Sequence, residues 1–178
     1  KYIEFGDHIA IGDFDGDGYK DIAVSADDYD KDYAADSDEG AVFIFLGGPN
    51  GLSSSPSVSI IGPWPDAEIS WSGLYNLGDL NGDGYQDLGF GDGDFSFIFW
   101  GKSFFNATYD LALENPPVNI TVFDNEDLGY DLVDNVTGLG DIDGDGFHDV
   151  AFKHSYYDSS IGGFVYQIVV LYGQRTWA

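Results

Sequence analysis

One nine-residue pattern occurs three times in the chain, and it limits the possible folds more than any other feature. Its copies stand at 13–21, 79–87 and 141–149. Side chains that carry oxygen occupy positions 1, 3, 5 and 9 of each copy, and a glycine occupies position 6. Short carboxylates in a tight loop suit a hard cation, and the glycine permits the backbone turn that folds the loop around it. The pattern therefore predicts three calcium-binding loops.

The residue types at each position of the repeated loop predict the Ca²⁺ ligands. The expected side-chain ligands are Asp13, Asp15, Asp17 and Asp21 in the first loop, Asp79, Asn81, Asp83 and Asp87 in the second, and Asp141, Asp143, Asp145 and Asp149 in the third. The backbone carbonyls at position 7 are expected to complete each shell, and they belong to Tyr19, Tyr85 and Phe147. Without a cation, carboxylates held this close would repel one another. The second loop carries one charge fewer, so we expect weaker binding there.

An EF-hand loop is the closest alternative to this pattern. That loop needs a bidentate glutamate at position 12. The three copies have Val24, Phe90 and Phe152 at that position, each in an apolar run. The sequence therefore excludes an EF-hand.

The composition limits the class of protein and its partners. The formal net charge is −26, with only six Lys and Arg residues among 178. Nucleic acids and anionic membranes are bound through basic residues, so the sequence excludes both as partners. Cysteine is absent, which excludes disulfides and thiolate chemistry. Aspartate far outnumbers glutamate, and this bias is typical of a loop-rich β protein.

Targeting signals and modification motifs indicate where the protein is found. No apolar run in the sequence is long enough to cross a bilayer. The chain starts at Lys1 without a methionine, and we interpret it as a mature or excised piece. Three glycosylation sequons begin at Asn106, Asn119 and Asn135, and each is expected to be exposed. The sequons favour an extracellular or cell-surface location.

Apolar segments flank each loop in the same order. A short apolar strand follows each loop directly, and a second strand closes each unit at 41–46, 95–100 and 164–172. The closing strands are almost continuously apolar, which predicts burial on both faces of a sheet. Regular β units at this spacing predict small sheets stacked face to face.

Several motifs in the first unit resemble a known family. The Phe5-Gly6 pair, the 13–21 loop, the Gly40-Ala41-Val42 segment and the turn at 47–54 are similar to the FG-GAP repeats of the integrin α-subunit β-propeller and related extracellular proteins. The resemblance implies an all-β fold of propeller blades, each with about four antiparallel strands, in repeats at 1–66, 67–124 and 125–178. It also implies that each calcium loop is a hairpin within a blade. The second repeat departs from the pattern, because Trp71-Ser72 replaces the Phe-Gly pair.

The number of repeats is in conflict with a closed propeller. Propellers have about 4–8 blades, so three repeats form a partial ring or a unit completed laterally by other copies. In either arrangement the outermost repeats leave apolar faces uncovered, around Tyr2 to Ile11 and around Phe164 to Tyr172. We therefore expect that the chain is not a free monomer.

The sequence favours a binding function over catalysis. It contains no nucleophile elbow, and its three histidines are scattered. The favoured interpretation is a noncatalytic, extracellular, calcium-binding adhesion or recognition module whose partner is a protein, a glycan or another copy of itself. The alternatives are a structural glycoprotein protomer of a surface filament or sheath, and an accessory propeller of a longer enzyme. The acidic run at 27–32 is interpreted as a solvated loop, with a further cation site as the alternative.

Overall fold

The structure, a computed structural model, contains strands and turns arranged in three sheets. It describes residues 4–31, 37–93, 95–103, 105, 107–111, 117, 119–123 and 133–175. These residues form twelve strands and no helix, which confirms the all-β prediction. No helix with the length and apolarity needed to cross a bilayer occurs in this part of the chain.

Each repeated loop joins the first two strands of one sheet. The first sheet consists of β1 (Phe5–Gly12), β2 (Asp21–Ala26), β3 (Ala41–Phe45), β4 (Val58–Ile61) and β8 (Thr108–Asp110). The second consists of β5 (Leu74–Gly78), β6 (Asp87–Gly91), β7 (Ser96–Phe99) and β9 (Ile120–Phe123). The third consists of β10 (Val133–Gly140), β11 (Asp149–Asp158) and β12 (Gly163–Leu171). Neighbours pair antiparallel except β4 and β8, and the sheets do not close a ring.

A strand from the second repeat lies at the edge of the first sheet. Strand β8 pairs parallel with β4, so that Tyr109 lies opposite Ile60. The Tyr109 ring is buried and contacts Phe99 edge to face, with centroids 5.4 Å apart. The described first sheet therefore has five strands and the third has three, where about four were expected in each. The physical reason for the extra strand is that Tyr109 fills a space between the first and second sheets.

The core lies between consecutive sheets. One cluster joins the first sheet to the second, and it includes Phe14, Ile44 and Phe97. A second cluster joins the second sheet to the third, and it includes Leu80 and Phe152. All five residues are fully buried, and burying one large apolar side chain contributes roughly 1.5–3 kcal/mol. The middle sheet is thus covered on both faces, as expected for its closing strand.

The closing strand of the third sheet differs from that expectation. Phe164, Tyr166 and Ile168 alternate along β12 and are exposed, with Ile168 at 67%. At the other end of the stack, Ile9 and Ile11 of β1 are also exposed. The prediction that β12 is buried on both faces is therefore wrong for the described residues, because no fourth sheet covers it. The two expected uncovered faces are present at the ends of the stack.

Candidate cation-binding loops

The three loops share one backbone conformation, which two glycines in each loop permit. The glycines at position 6 have φ between +89° and +96°, as the sequence pattern led us to expect. The glycines at position 4, Gly16, Gly82 and Gly144, have φ between +71° and +82°. Both values lie in the left-handed region, which glycine enters without steric cost. This role was predicted for position 6 alone, although position 4 is also glycine in every copy.

The aspartate at position 1 organises the rest of each loop. In the third loop, Asp141 accepts the N–H groups of Gly144 at 2.6 Å, Asp145 at 3.1 Å and Gly146 at 3.0 Å. Asp79 accepts the corresponding three N–H groups in the second loop. Asp13 differs, because its Oδ1 atom is buried without a hydrogen-bond partner. A buried carboxylate oxygen in that state is costly unless a cation neutralises it.

The carboxylates of two loops converge as a cation would require. One oxygen each from Asp13, Asp15 and Asp17 lie within 4.8 Å of one another. The same is true of Asp141, Asp143 and Asp149 in the third loop. All these donors are hard oxygen ligands of the kind that Ca²⁺ prefers. The donor sets and the orphaned Asp13 oxygen therefore fit a calcium ion.

The second loop is arranged differently at its third position. Asn81 donates a hydrogen bond from Nδ2 to Oδ2 of Asp83 at 3.0 Å. Residues 79–87 of the second loop are all described, and among them no three carboxylates place oxygens within 4.8 Å of one another. The Asn81 amide therefore donates a hydrogen bond to a neighbouring carboxylate at the position where the other two loops have an aspartate.

The aspartate at position 9 has a structural role that the sequence analysis missed. Asp87 is fully buried; its Oδ2 accepts the N–H of Leu80 and its Oδ1 accepts the N–H of Gly101, both at 2.9 Å. Asp21 and Asp149 make the same pair of bonds in their own sheets. Each of these aspartates thus ties its loop to the glycine after the closing strand. The repeated Asp and Gly were visible in the sequence, but their contact was not.

Burial changes the acidity of the loop carboxylates. Burial raises the pKa of Asp87 to about 8, against the lowering effect of the two N–H donors. The pKa values of Asp21 and Asp15 are also raised, mainly by burial, in the first loop. Burial disfavours the ionised form, and a nearby cation favours it. A cation bound by these carboxylates would therefore compete with protons for them.

Consecutive loops are joined by repeated main-chain hydrogen bonds. The N–H of Gln86 donates to the carbonyl of Asp13, and the N–H of His148 donates to the carbonyl of Asp79, both at 3.0 Å. The next carbonyl of the second loop also accepts a main-chain hydrogen bond, because the N–H of Gln174 donates to the carbonyl of Leu80 at 3.0 Å. The three cation loops therefore form a connected row along one edge of the stack.

The aromatic residue at position 7 packs on the preceding loop. A Cβ atom added at Gly82 would lie 2.3 Å from the ring of Phe147, and one at Gly16 would lie 2.5 Å from the ring of Tyr85. At the equivalent Gly144 nothing lies within 4 Å of such an atom. The close approach of loop and ring thus requires glycine at the first two sites.

We expect Gly82→Ala to destabilise the chain more than Gly144→Ala does. Both substitutions place alanine at a positive φ, which costs of order 1–3 kcal/mol. Only Gly82→Ala also displaces an aromatic ring, adding an overpacking cost of about 1–3 kcal/mol. Thermal melts of the two variants of the 178-residue chain measure the difference. Equal melting temperatures would show that the ring contact contributes nothing.

One of the three sequons does not have the expected exposure. Asn119 is only 6% exposed, and its Nδ2 atom, which would carry a glycan, is buried without a hydrogen-bond partner. The hydroxyl of Thr121 accepts a hydrogen bond from the indole of Trp100 at 2.8 Å. The expectation that Asn119 lies exposed is therefore wrong for this fold, because the sequon lies at the start of β9, a strand of the second sheet. Asn106 lies outside the described residues, and only the backbone of Asn135 is described.

Comparisons with known proteins extend these observations. Residues 5–45 match the model of the FG-GAP repeat. Integrin alpha-5 of Xenopus laevis is 38% identical over 120 residues, which cover 64% of this chain and 11% of that protein. Integrin alpha-IIb of Homo sapiens is 41% identical over 88 residues, which cover 49% of this chain and 8% of that protein.

A relative of a different kind is also similar to the chain. Phosphatidylinositol-glycan-specific phospholipase D of Bos taurus is 36% identical over 85 residues, which cover 47% of this chain and 10% of that protein. The chain thus spans about a tenth of the length of the curated relatives that it matches. Similar sequences therefore occur both in integrin subunits and in a protein named as an enzyme.

Proposed function

This chain belongs to the FG-GAP repeat family, and on that premise we propose that it is a calcium-binding, noncatalytic recognition module within an extracellular β-propeller. The observation that carries the proposal is the row of three acidic loops, each tied into its own sheet and bonded to the next. The ions are held by the side chains at positions 1, 3, 5 and 9 and by the carbonyls at position 7. With calcium bound, the row of loops makes one edge of the stack rigid. That rigid edge holds the sheets in place, and so positions their opposite ends.

The role of calcium in this proposal is structural. The ion supplies positive charge among carboxylates that otherwise repel, and it satisfies the buried Oδ1 of Asp13. The chain's own residues then hold the geometry, because Asp21 and its equivalents join each loop to its closing strand. A rigid scaffold of this kind suits the binding of a protein or glycan ligand by loops at the other edge.

A retention assay tests the recognition function. Beads coated with the full protein are incubated with cells that produce it, in calcium or in chelator. The same assay is done with a variant in which Asp17, Asp83 and Asp145 are all changed to alanine. These three residues are exposed, and each occupies position 5 of its loop. We expect the beads that carry the native protein to retain cells in calcium. We expect them to lose that retention in chelator, and the beads that carry the variant to lack it. Equal retention under all conditions, or none under any, would contradict the proposal.

We further propose that blades of the same type cover both end faces of the stack. Position 2 of the loop supports this, because Phe14 and Leu80 are fully buried by the next sheet while Ile142 is 53% exposed. The carbonyls of Asp141 and Ile142 are equivalent to those that accept inter-sheet bonds in the first two loops. A further blade presents the matching N–H groups and aromatic ring, in the same chain or in another copy.

This assembly leads to a prediction for the isolated 178-residue chain. With calcium present at micromolar concentration, light scattering should report a species heavier than the 19.4 kDa of one chain. The reason is that the apolar residues of β1 and β12 would be left in water. A monodisperse monomer would refute this prediction.

Localisation and glycosylation complete the proposal. We propose an extracellular or cell-surface location, which the similarity to integrin subunits supports. Glycans are proposed at Asn106 and Asn135, on the sequon pattern alone, and not at the buried Asn119. Treating natively sourced protein with a peptide-N-glycosidase tests this. An unchanged mass would show that neither Asn106 nor Asn135 carries a glycan.

The other two functions remain testable beside this one. Exposed end faces on a repetitive stack also suit a protomer of a surface filament or sheath. Negative-stain imaging of the native particle distinguishes closed rings from filaments. The similarity to a phospholipase D keeps open an accessory propeller of a longer enzyme, which an intact mass of the native polypeptide tests.

A further inference from the structure

A different acidic cluster lies at the other end of the first sheet. Glu4, Asp7 and Asp27 each place one carboxylate oxygen within 4.8 Å of the other two, and we call these residues the rim cluster. Strand β1 pairs Phe5 with Ala26 at this end and Gly12 with Asp21 at the loop end. At about 3.3 Å per residue, the rim cluster is therefore about 20 Å from the first cation loop.

A break in strand pairing brings these residues together. The register of β1 and β2 shifts between Phe5 and Ile9, so three residues of β1 lie opposite one residue of β2. The N–H of His8 donates to the hydroxyl of that residue, Ser25, at 2.9 Å. Bulges of this kind re-aim side chains at the edge of a sheet. Here the bulge contains Asp7, and it brings that carboxylate to the end of β2, where Asp27 follows.

Asp27 has a buried carboxylate oxygen without a hydrogen-bond partner. The acidic run at 27–32 was expected to be a solvated loop, but Asp27 is only 6% exposed. Its Oδ1 atom is buried and has no hydrogen-bond partner. Leaving such an oxygen unsatisfied destabilises the folded chain, and more so when the oxygen is charged. A cation among the three carboxylates removes that cost.

The surrounding charges point the same way. The pKa of Glu4 is raised by the carboxylates of Asp28, Asp27 and Asp7. Burial raises the pKa of Asp27 and a hydrogen bond from its own backbone N–H lowers it; the charges of Asp28 and Asp7 raise it further, while His8 lowers it. Like charges gathered at one place attract a positive ion.

We propose that Glu4, Asp7 and Asp27 bind a calcium ion at the end of the first sheet opposite the hairpin loops. All three donors are carboxylates, which suits a hard cation. Two oxygens on opposite sides of one Ca²⁺, each at about 2.4 Å, are about 4.8 Å apart, so the observed separations fit a single ion. The ligands come from the start of β1, its bulge and the end of β2, and not from one loop. Waters complete the coordination, because Glu4 and Asp7 are exposed.

The test counts bound calcium in two matched double variants of the full chain. Glu4→Gln with Asp7→Asn removes two ligands of the rim cluster. Asp28→Asn with Glu68→Gln removes the same charge from neighbouring carboxylates outside the cluster. Equilibrium dialysis followed by metal analysis gives the number of ions per chain, and near-UV circular dichroism reports whether each variant is folded.

We expect the first variant to bind one ion fewer than the native protein and the control to bind the native number. A native count in the first variant would overturn the rim site and leave the hairpin sites intact. Loss of an ion in both variants would also overturn it, because charge alone would then explain the binding. If the double variant does not fold, the single Asp7→Asn variant, which changes one exposed ligand, replaces it and is read as a loss of calcium affinity at one site.

Discussion

Asp87→Ala is expected to destabilise the chain by about 2–6 kcal/mol even in the absence of calcium. The substitution leaves the N–H groups of Leu80 and Gly101 buried without an acceptor. Each unsatisfied buried group costs about 1–3 kcal/mol. Because domains of this kind are stable by only about 5–15 kcal/mol, a loss of that size removes a large part of the stability of the chain.

The control for this prediction is Asp83→Ala in the same loop. Asp83 is exposed; its Oδ1 accepts the N–H of Tyr85 and its Oδ2 accepts a hydrogen bond from Nδ2 of Asn81, both at 3.0 Å. Its removal should cost less than the removal of Asp87 in chelator, because Asp83 itself is exposed, and it should weaken calcium binding. Urea unfolding of both variants in chelator measures the two free energies. Similar values for Asp87→Ala and Asp83→Ala would refute the structural role of position 9.

Calcium should raise the stability of the whole chain by about 4 kcal/mol at ten times the dissociation constant. Each site then adds RT ln 11, about 1.4 kcal/mol, and the three hairpin loops act together. For a chain of this size, 1 kcal/mol shifts the melting temperature by about 2–4 °C, so the expected shift is about 8–16 °C. Calorimetric melts with calcium and with chelator measure it, and superimposable curves would contradict the prediction.

The effect of calcium should also depend on pH. Without a cation, burial raises the pKa of Asp87 to about 8, whereas its pKa in the unfolded chain is about 4. Between these values the folded state binds more protons, so the stability of the calcium-free chain falls as pH rises. Calcium binds the ionised form, so the stabilisation that it adds should be larger at pH 8 than at pH 5. A calcium effect that is larger at pH 5 would contradict this assignment.

The conformation of the loops could be predicted from the sequence because the residues that form it are local. All the side-chain donors of the first loop lie between Asp13 and Asp21, so spacing alone predicts that they converge. The resemblance to FG-GAP repeats likewise depends on short motifs such as Phe5-Gly6. The match of residues 5–45 to the model of that repeat confirms this resemblance. Local patterns of this kind do not depend on which strands pair.

Other features could not be predicted because they depend on strand pairing. The bond from Gly101 to Asp87 spans 14 residues, and it exists only because β6 and β7 are neighbours. Strand β8 has only three residues, too few to show a periodic pattern, and its partner β4 lies far away in sequence. The rim cluster likewise depends on the β1–β2 register, which places Asp27 beside residues that lie twenty or more positions earlier in the chain.

Counting the calcium ions bound per chain tests the central claim most directly. Asp17→Ala, Asp83→Ala and Asp145→Ala each remove the exposed position-5 ligand of one hairpin loop. Titration calorimetry with metal analysis, on the native protein, the three single variants and the triple variant, gives the stoichiometry. We predict one ion fewer in each single variant and three fewer in the triple variant. A triple variant that binds as many ions as the native protein would show that the hairpin loops are not the calcium sites.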